Sequence, residues 1–257
     1  MGDLRVAVLG GLEATVDGVP ADLGGPKQRS VLALLLLARG GIVPADRITE
    51  DLWRGEPPPR AAGALQAYVS HLRRALEPDR PPRAPAQVLV SASPGYAIRL
   101  PASQVDAWEL EDLVRQGIRE SAADPEAARQ RLRAALRLWT GSPYAQFADE
   151  EWAAGEVTRL HDLHSDAVEH LADCELRLGE PVEALSVLER HAKAHPLREN
   201  AWALLATALY QTGRQADALA ALRDLRRRLV DELGVDPGPE VQRLEAAILD
   251  HDESLQP

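Results

Sequence analysis

An 11-residue segment occurs twice in the second half of the chain, and its two copies match in phase. The copies are LGEPVEALSVL, beginning at Leu178, and TGRQADALAAL, beginning at Thr212. Equivalent residues lie 34 positions apart, namely Gly179 and Gly213, Ala184 and Ala218, and Leu188 and Leu222. A glycine turn followed by a helix with a small residue is typical of helix pairs that stack on one another. The repeat therefore strongly limits the folds open to this half.

A spacing of 34 residues is the period of tetratricopeptide repeats. Trp202 and Leu205 fall where the first helix of such a repeat carries its tryptophan and leucine. An upstream segment, DPEAARQRLRAALRLW, resembles an earlier unit that an insertion puts out of phase. Downstream, the sequence predicts that one helix ends at Gly234 and that a last helix starts after Pro239. We predict an all-α, tetratricopeptide-like domain over residues 103–257.

The first half has a different order of elements. Two short strand patterns, LRVAVLG and LEATVDG, are bounded by glycines, with a turn at Asp17-Gly18. Three helical segments follow: GPKQRSVLALLLLARGG, VPADRITEDLW and RAAGALQAYVSHLRRAL. VLVSASPGYAIRL then predicts a β-hairpin around residues 93–95. Strands, three helices and a hairpin indicate an α+β winged helix-turn-helix domain over residues 1–102.

Charge is distributed unevenly between the two halves. Residues 1–102 contain 12 Lys and Arg and 10 Asp and Glu, whereas residues 103–257 contain 17 and 30. The stretch from Gly24 to Ala45 holds Lys27, Arg29 and Arg39 and no acid. Binding to a polyanion is therefore open to the first half only. The acidic second half is better suited to contacts with protein.

The third helical segment has two dissimilar faces on a helical wheel. Leu65, Val69, Leu72 and Leu76 form an apolar stripe. The other residues of interest are Arg60, Gly63, Ala67, Ser70, His71 and Arg74 on the opposite face, with Gln66 and Arg73 beside it. An ordinary solvated face mixes acids with bases at i,i+4 spacing, but this face has no acid. Taken alone, an arginine-bearing face is more typical of a solvated surface. Together with the acid-free helix start at Lys27 and Arg29 and the hairpin downstream, it favours DNA recognition, since a major groove admits a helix.

Other kinds of chemistry find little support in the sequence. The single cysteine, Cys174, excludes an internal disulfide and fits a core position in a cytoplasmic protein. The apolar run VLALLLLA is too short to span a membrane, so we expect no membrane association. His161, His164 and His170 lack zinc-helix spacing, and no P-loop, GxGxxG or GxSxG motif is present. We expect no metal, no cofactor, no catalytic residue and no enzymatic activity.

Trp108, Trp139, Trp152 and Trp202 are expected to fill the core of the helical domain.

KQRSVLALLLLARGGIVPADRITEDLW, PPPRAAGALQAYVSHLRRAL and PGYAIRL resemble the winged-helix DNA-binding domain of OmpR-type regulators. In the second half, AHPLREN, LYQTGRQADALAALRDLRRRL and DELGVDPGPEVQRLEAAIL are similar to a bacterial transcriptional activation domain. Together these segments resemble the Streptomyces antibiotic regulatory protein family, from Leu4 to Leu249. Both domains occur in the family's order.

The resemblance implies a transcriptional activator that binds direct repeats of double-stranded DNA near the promoter −35 element, as a side-by-side dimer. It also implies contact with RNA polymerase through its sigma factor, or also its α subunit, at antibiotic biosynthesis genes. The DNA-binding residues implied are Lys27 and Arg29 toward phosphates; Arg60, Gln66, Ser70, His71, Arg73 and Arg74 on the recognition helix; and Ser91, Ser93 and Gly95 in the wing tip. Gly63 and Ala92-Ser93 depart from the family's polar helix residue and wing arginine. The alternative is a tetratricopeptide-type interaction adaptor whose winged helix does not bind DNA.

Overall fold

The computed structural model describes residues 2–256 and divides into two compact units. The first comprises Met1–Asp112 with Leu138–His161, and the second comprises Leu113–Arg137 with Asp162–Pro257. Two helices, α4 (Asp106–Glu120) and α6 (Glu151–Arg177), contribute residues to both units. The boundary after residue 102 stays a prediction for the division between the functional domains.

The first unit begins with an antiparallel sheet whose strand order is β1-β2-β3. Its strands are β1 (Leu4–Ala7), β2 (Glu13–Val16) and β3 (Val19–Pro20). Asp17 and Gly18 form the predicted turn between β2 and β3, with φ of 51° and 77°. Two successive left-handed residues are what a two-residue hairpin turn of type I′ requires. The turn prediction is therefore confirmed.

Three helices and a second sheet follow, as the sequence predicts. The helices are α1 (Pro26–Leu37), α2 (Ala45–Leu52) and α3 (Ala61–Leu76). The strands are β4 (Val43–Pro44), β5 (Leu89–Ala92) and β6 (Gly95–Ile98), in the order β4-β6-β5. Every residue of α1 from Val31 to Leu36 is buried, so α1 is central to this core. The winged helix-turn-helix prediction is confirmed.

Residues 138–161 also belong to this first unit, because they supply partners to backbone groups just after β1. The Tyr144 amide donates to the Val8 carbonyl at 2.7 Å, and the Thr140 amide donates to the Leu9 carbonyl at 3.1 Å. Trp108, Trp139 and Trp152 therefore lie in the first unit. Trp108 is buried, whereas Trp139 and Trp152 are half-buried, and a place for these three in the core of the helical domain stays a prediction.

The second unit is helical. Its helices, besides the parts of α4 and α6 that belong to it, are α5 (Pro125–Arg137), α7 (Pro181–Ala194), α8 (Glu199–Gln211), α9 (Gln215–Leu233) and α10 (Pro239–Leu249). Helices α7 and α9 are the equivalent helices of consecutive repeats. Each follows a glycine in the left-handed region, Gly179 with φ 75° and Gly213 with φ 78°. Ala184 and Ala218 are fully buried where these helices pack. The tetratricopeptide-like prediction is confirmed.

Short 3-10 turns complete the chain at Ala102–Gln104, Ala145–Phe147 and Glu253–Leu255. As predicted, Gly234 ends α9 with φ 70°, and α10 begins at Pro239. Trp202 and Cys174 are buried in the second unit. Among the described residues, none of the helices combines the length and apolar character needed to cross a membrane.

Candidate nucleic-acid interface

Helix α3 presents one buried face and one open face, as its sequence pattern predicts. Leu65, Val69, Leu72 and Leu76 are at most 2% exposed. The exposed positions are Arg60 at the helix start, followed by Ala62, Gly63, Gln66, Ala67, Ser70 and Arg74. No acid occurs between Arg60 and Leu76, so the open face carries only neutral and positive groups. Such a face is electrostatically suited to a polyanion.

Three polar side chains lie in a row along the open face. Gln66, Ser70 and Arg74 follow one another at i,i+4 spacing, which places them about 6 Å apart along the axis. Within residues 2–256, none of these three side chains makes a hydrogen bond or an ion pair. The row is about 12 Å long, comparable with the width of the DNA major groove. Its amide, hydroxyl and guanidinium groups are the types that contact base edges and phosphates there.

His71 and Arg73 lie beside this row and are already hydrogen-bonded within the first unit. The His71 Nε2 atom lies 2.9 Å from the Asp22 carbonyl oxygen and donates to it in the tautomer that carries its proton there. Arg73 Nε donates to the Leu89 carbonyl and its Nη2 donates to Ser91 Oγ, both at 2.8 Å. The Arg73 guanidinium also lies 6.0 Å from the centre of the Tyr96 ring. Direct contacts of His71 and Arg73 with DNA stay predictions.

Lys27 and Arg29 in the first turn of α1 hold neighbouring segments together. Lys27 Nζ donates to the Leu52 carbonyl at the end of α2 at 2.7 Å and lies 4.7 Å from the Trp53 ring centre. Arg29 donates through Nη1 to the Leu12 carbonyl at 2.7 Å and through Nε to the Gly24 carbonyl at 3.2 Å. Contact of these two cations with phosphates is untested by this geometry and stays a prediction.

The predicted wing is the hairpin of β5 and β6. Ala92 pairs with Gly95, and Ser93-Pro94 with a cis peptide bond forms the loop. Ser91 and Ser93 are exposed on the hairpin. A Cβ atom at Gly95 would lie 1.9 Å from the Val43 carbonyl oxygen of β4, so close backbone packing requires glycine there. Packing against β4 thus explains the glycine at position 95 without any contact to DNA.

Two supporting residues could not be identified from sequence reasoning. The Asp22 carbonyl contacts His71, and the Tyr96 ring contacts the Arg73 guanidinium. Asp22 is 49 positions from His71 in the sequence. Tyr96 lies within the PGYAIRL segment, but its distance along the chain from Arg73 does not indicate a contact between the two. Both contacts depend on how α3 packs against distant segments.

Comparison with known proteins gives matches over both parts of the chain. The family model described as "Transcriptional regulatory protein, C terminal" matches residues 22–98. The model described as "Bacterial transcriptional activator domain" matches residues 105–249. Both domain types were expected from the sequence, and they occur in the expected order.

The relatives carry names of regulators. The regulatory protein AfsR of Streptomyces coelicolor is 41% identical over 256 residues, covering 99% of this chain and 25% of AfsR. The regulatory protein DnrI of Streptomyces peucetius is 32% identical, covering 98% of this chain and 94% of DnrI. The chain thus spans about a quarter of the length of AfsR but almost all of DnrI.

A solved structure, Mycobacterium tuberculosis EmbR in complex with a low-affinity phosphopeptide, matches with a TM-score of 0.92 and 35% identity. The match covers 100% of this chain and 66% of the EmbR chain. Because DnrI is matched over nearly its whole length and both domain models match in order, the family is established. The chain belongs to the Streptomyces antibiotic regulatory protein family of transcriptional regulators, with an OmpR-type winged helix followed by a bacterial transcriptional activator domain.

Proposed function

We propose that this cytoplasmic regulator activates transcription by binding direct repeats near the −35 element and recruiting RNA polymerase. The observation that carries this proposal is the open face of α3, where Gln66, Ser70 and Arg74 have no intramolecular partners among the described residues. Unpaired polar groups on an acid-free helix are available to bases and phosphates. Arg60 at the start of α3 adds a second exposed cation to this face.

Affinity and specificity come from different parts of the proposed interface. Release of counterions from phosphates by Arg60 supplies sequence-independent affinity. Gln66 and Arg74 supply base readout, because an amide pairs well with adenine and a guanidinium pairs well with guanine in the major groove. Ser91 and Ser93 add neutral contacts from the wing. Side-by-side dimers on direct repeats double this set of contacts.

The second half supplies the contact with the transcription machinery. Residues 103–257 contain 30 acids and 17 Lys and Arg, which disfavours DNA and favours a basic protein surface. We propose the RNA polymerase sigma factor as the main partner, with the α subunit as a further contact. The target genes in this proposal are those of antibiotic biosynthesis, by analogy with the family.

A gel-shift salt series on promoter fragments with direct repeats tests the DNA-binding step. Wild-type affinity should fall linearly with salt concentration on logarithmic axes. Arg74→Ala should weaken binding by about 1–3 kcal/mol, or about fivefold to more than a hundredfold. Arg190→Ala is the matched control, since Arg190 is an exposed arginine on α7. It should leave affinity unchanged.

Footprinting with and without RNA polymerase tests recruitment. Binding of the regulator should extend polymerase protection over the −35 element of the same fragment. Absent or salt-independent binding to every promoter fragment would refute the proposal. That result would favour the tetratricopeptide-type adaptor instead.

A further inference from the structure

Arg73 connects the recognition helix to the wing through a fixed set of contacts. Its Nε and Nη2 groups donate to two groups of β5, the Leu89 carbonyl and the Ser91 hydroxyl, both at 2.8 Å. The Tyr96 ring of β6 lies 6.0 Å from the same guanidinium. One side chain of α3 thus contacts both strands of the hairpin. A planar guanidinium holds such a geometry better than a flexible single donor does.

The position of β5 in its sheet explains why the Leu89 carbonyl needs the hydrogen bond from Arg73. The strand order is β4-β6-β5, so β5 is an edge strand and one side of its backbone has no strand partner in this sheet. Leu89 is fully buried, and a buried carbonyl without a partner is costly. Arg73 Nε supplies that partner. The bond therefore fixes how far the edge of the wing lies from α3.

We infer that Arg73 is a positioning residue, which sets the wing relative to α3 so that both reach DNA together. This inference rests on the proposed DNA-binding function. Arg74, the next residue, is exposed and has no partner among the described residues, so it is the arginine that reaches DNA directly. Two adjacent arginines of α3 thus have different tasks. Arg73 acts on the wing, and Arg74 acts on the nucleic acid.

Paired variants distinguish these tasks, with Arg73→Gln and Arg74→Gln each removing one charge. Hydrogen exchange on the free proteins comes first. Arg73→Gln should speed exchange of amides in residues 88–98, whereas Arg74→Gln should leave these amides at wild-type rates. Wild-type exchange in residues 88–98 of Arg73→Gln would overturn the inference. This readout does not depend on DNA.

DNA titration gives the second readout. Arg73→Gln should lower affinity at least about fivefold with an unchanged salt slope, because the wing it positions is uncharged at Ser91 and Ser93. Hydroxyl-radical protection should be lost on the wing side and kept at the α3 contacts. Arg74→Gln should instead keep the protection on the wing side and lose it at the α3 contacts, because Arg74 reads a base there.

Arg73→Lys separates charge from geometry. It keeps the positive charge but cannot bond both Leu89 and Ser91 with a fixed fork. Affinity close to that of Arg73→Gln supports the inference. Wild-type affinity of Arg73→Lys, or a slope reduced by about 0.9 in Arg73→Gln, would show that Arg73 grips a phosphate and would overturn it. Failure of the wild type to bind any promoter would refute the proposed function, and the exchange rates would still decide the role of Arg73.

Discussion

Replacing Glu169 by glutamine should destabilise the second unit in a strongly pH-dependent way. Glu169 lies on α6 and is 4% exposed. Its Oε1 accepts from His191 Nε2 at 3.1 Å and from Arg198 Nε at 2.6 Å, and its Oε2 accepts from Asn200 Nδ2 at 2.9 Å. Three donors from α7 and the start of α8 therefore converge on one buried carboxylate. Glutamine keeps the shape, loses the charge and turns an amino group toward these donors.

The magnitude follows from the pKa of Glu169. Burial alone would raise this pKa, but hydrogen bonds from His191, Arg198 and Asn200 outweigh it and lower the pKa from 4.5 to about 2. The ionised carboxylate thus contributes about 3 kcal/mol to the free energy of unfolding at pH 7. Because the folded pKa is the lower one, the contribution is present above pH 4.5 and is lost as the pH falls toward 2. At pH 3 about 1 kcal/mol is left.

Urea unfolding at pH 7 and pH 3 measures this contribution. Circular dichroism follows the helices of both units, whereas tryptophan fluorescence reports mainly on the first unit, since only Trp202 of the five tryptophans lies in the second. Four tryptophans, Trp53, Trp108, Trp139 and Trp152, lie in the first unit. The cost of Glu169→Gln should be about 3 kcal/mol at pH 7 and about 2 kcal/mol smaller at pH 3. The transition followed by fluorescence should shift less than the transition followed by circular dichroism.

The matched control is Glu232→Gln on α9. Glu232 is exposed, and its side chain has no hydrogen bond or ion pair within residues 2–256. Its replacement should change the free energy of unfolding by less than about 0.5 kcal/mol at either pH. An equal cost of Glu169→Gln at pH 7 and pH 3 would refute the electrostatic reasoning, because it would show that only packing was lost.

Two further substitutions test the first unit. A Cβ at Gly63 would meet no atom within 4 Å, so Gly63→Ala should raise the free energy of unfolding by about 0.5–1 kcal/mol. The same change should weaken DNA binding in a gel shift if the α3 backbone approaches the groove closely; unchanged affinity would exclude that approach. Asp106 accepts from the Val8, Leu9 and Ala107 amides at 2.9, 3.0 and 2.7 Å. Asp106→Asn should cost about 1–3 kcal/mol in unfolding followed by tryptophan fluorescence, and a cost below about 0.5 kcal/mol would contradict this role.

The faces of α3 could be predicted from sequence because helical geometry alone fixes them. Once residues 61–76 form a helix, Leu65, Val69, Leu72 and Leu76 must share a side, and a core must cover it. The same holds for the repeat around Ala184 and Ala218, whose small side chains set where helices cross. Local periodicity is sufficient for such predictions because no distant partner has to be known.

The partners of the basic side chains could not be predicted in this way. Lys27, Arg29 and Arg73 all donate to backbone carbonyls, at Leu52, Leu12 and Leu89 among others. Every residue of the chain carries a carbonyl, so sequence does not reveal which carbonyl lacks a partner after packing. A basic residue that binds an external anion and one that donates to a backbone carbonyl of its own chain therefore look the same in the sequence.

Ion pairs in the first unit show which of its arginines are neutralised, and a count of charges over residues 1–102 cannot show this. Arg39 pairs with Glu111 at 2.6 Å and with Glu156 at 3.3 Å, and Arg54 pairs with Glu150 at 3.0 Å. All three acids come from residues beyond 102, so a count over residues 1–102 cannot include them. These acids neutralise arginines outside α3, whereas the exposed arginines of α3 have no acidic partner among the described residues. Positive charge is thus left where a helix can enter a groove, although the unit as a whole gains acids.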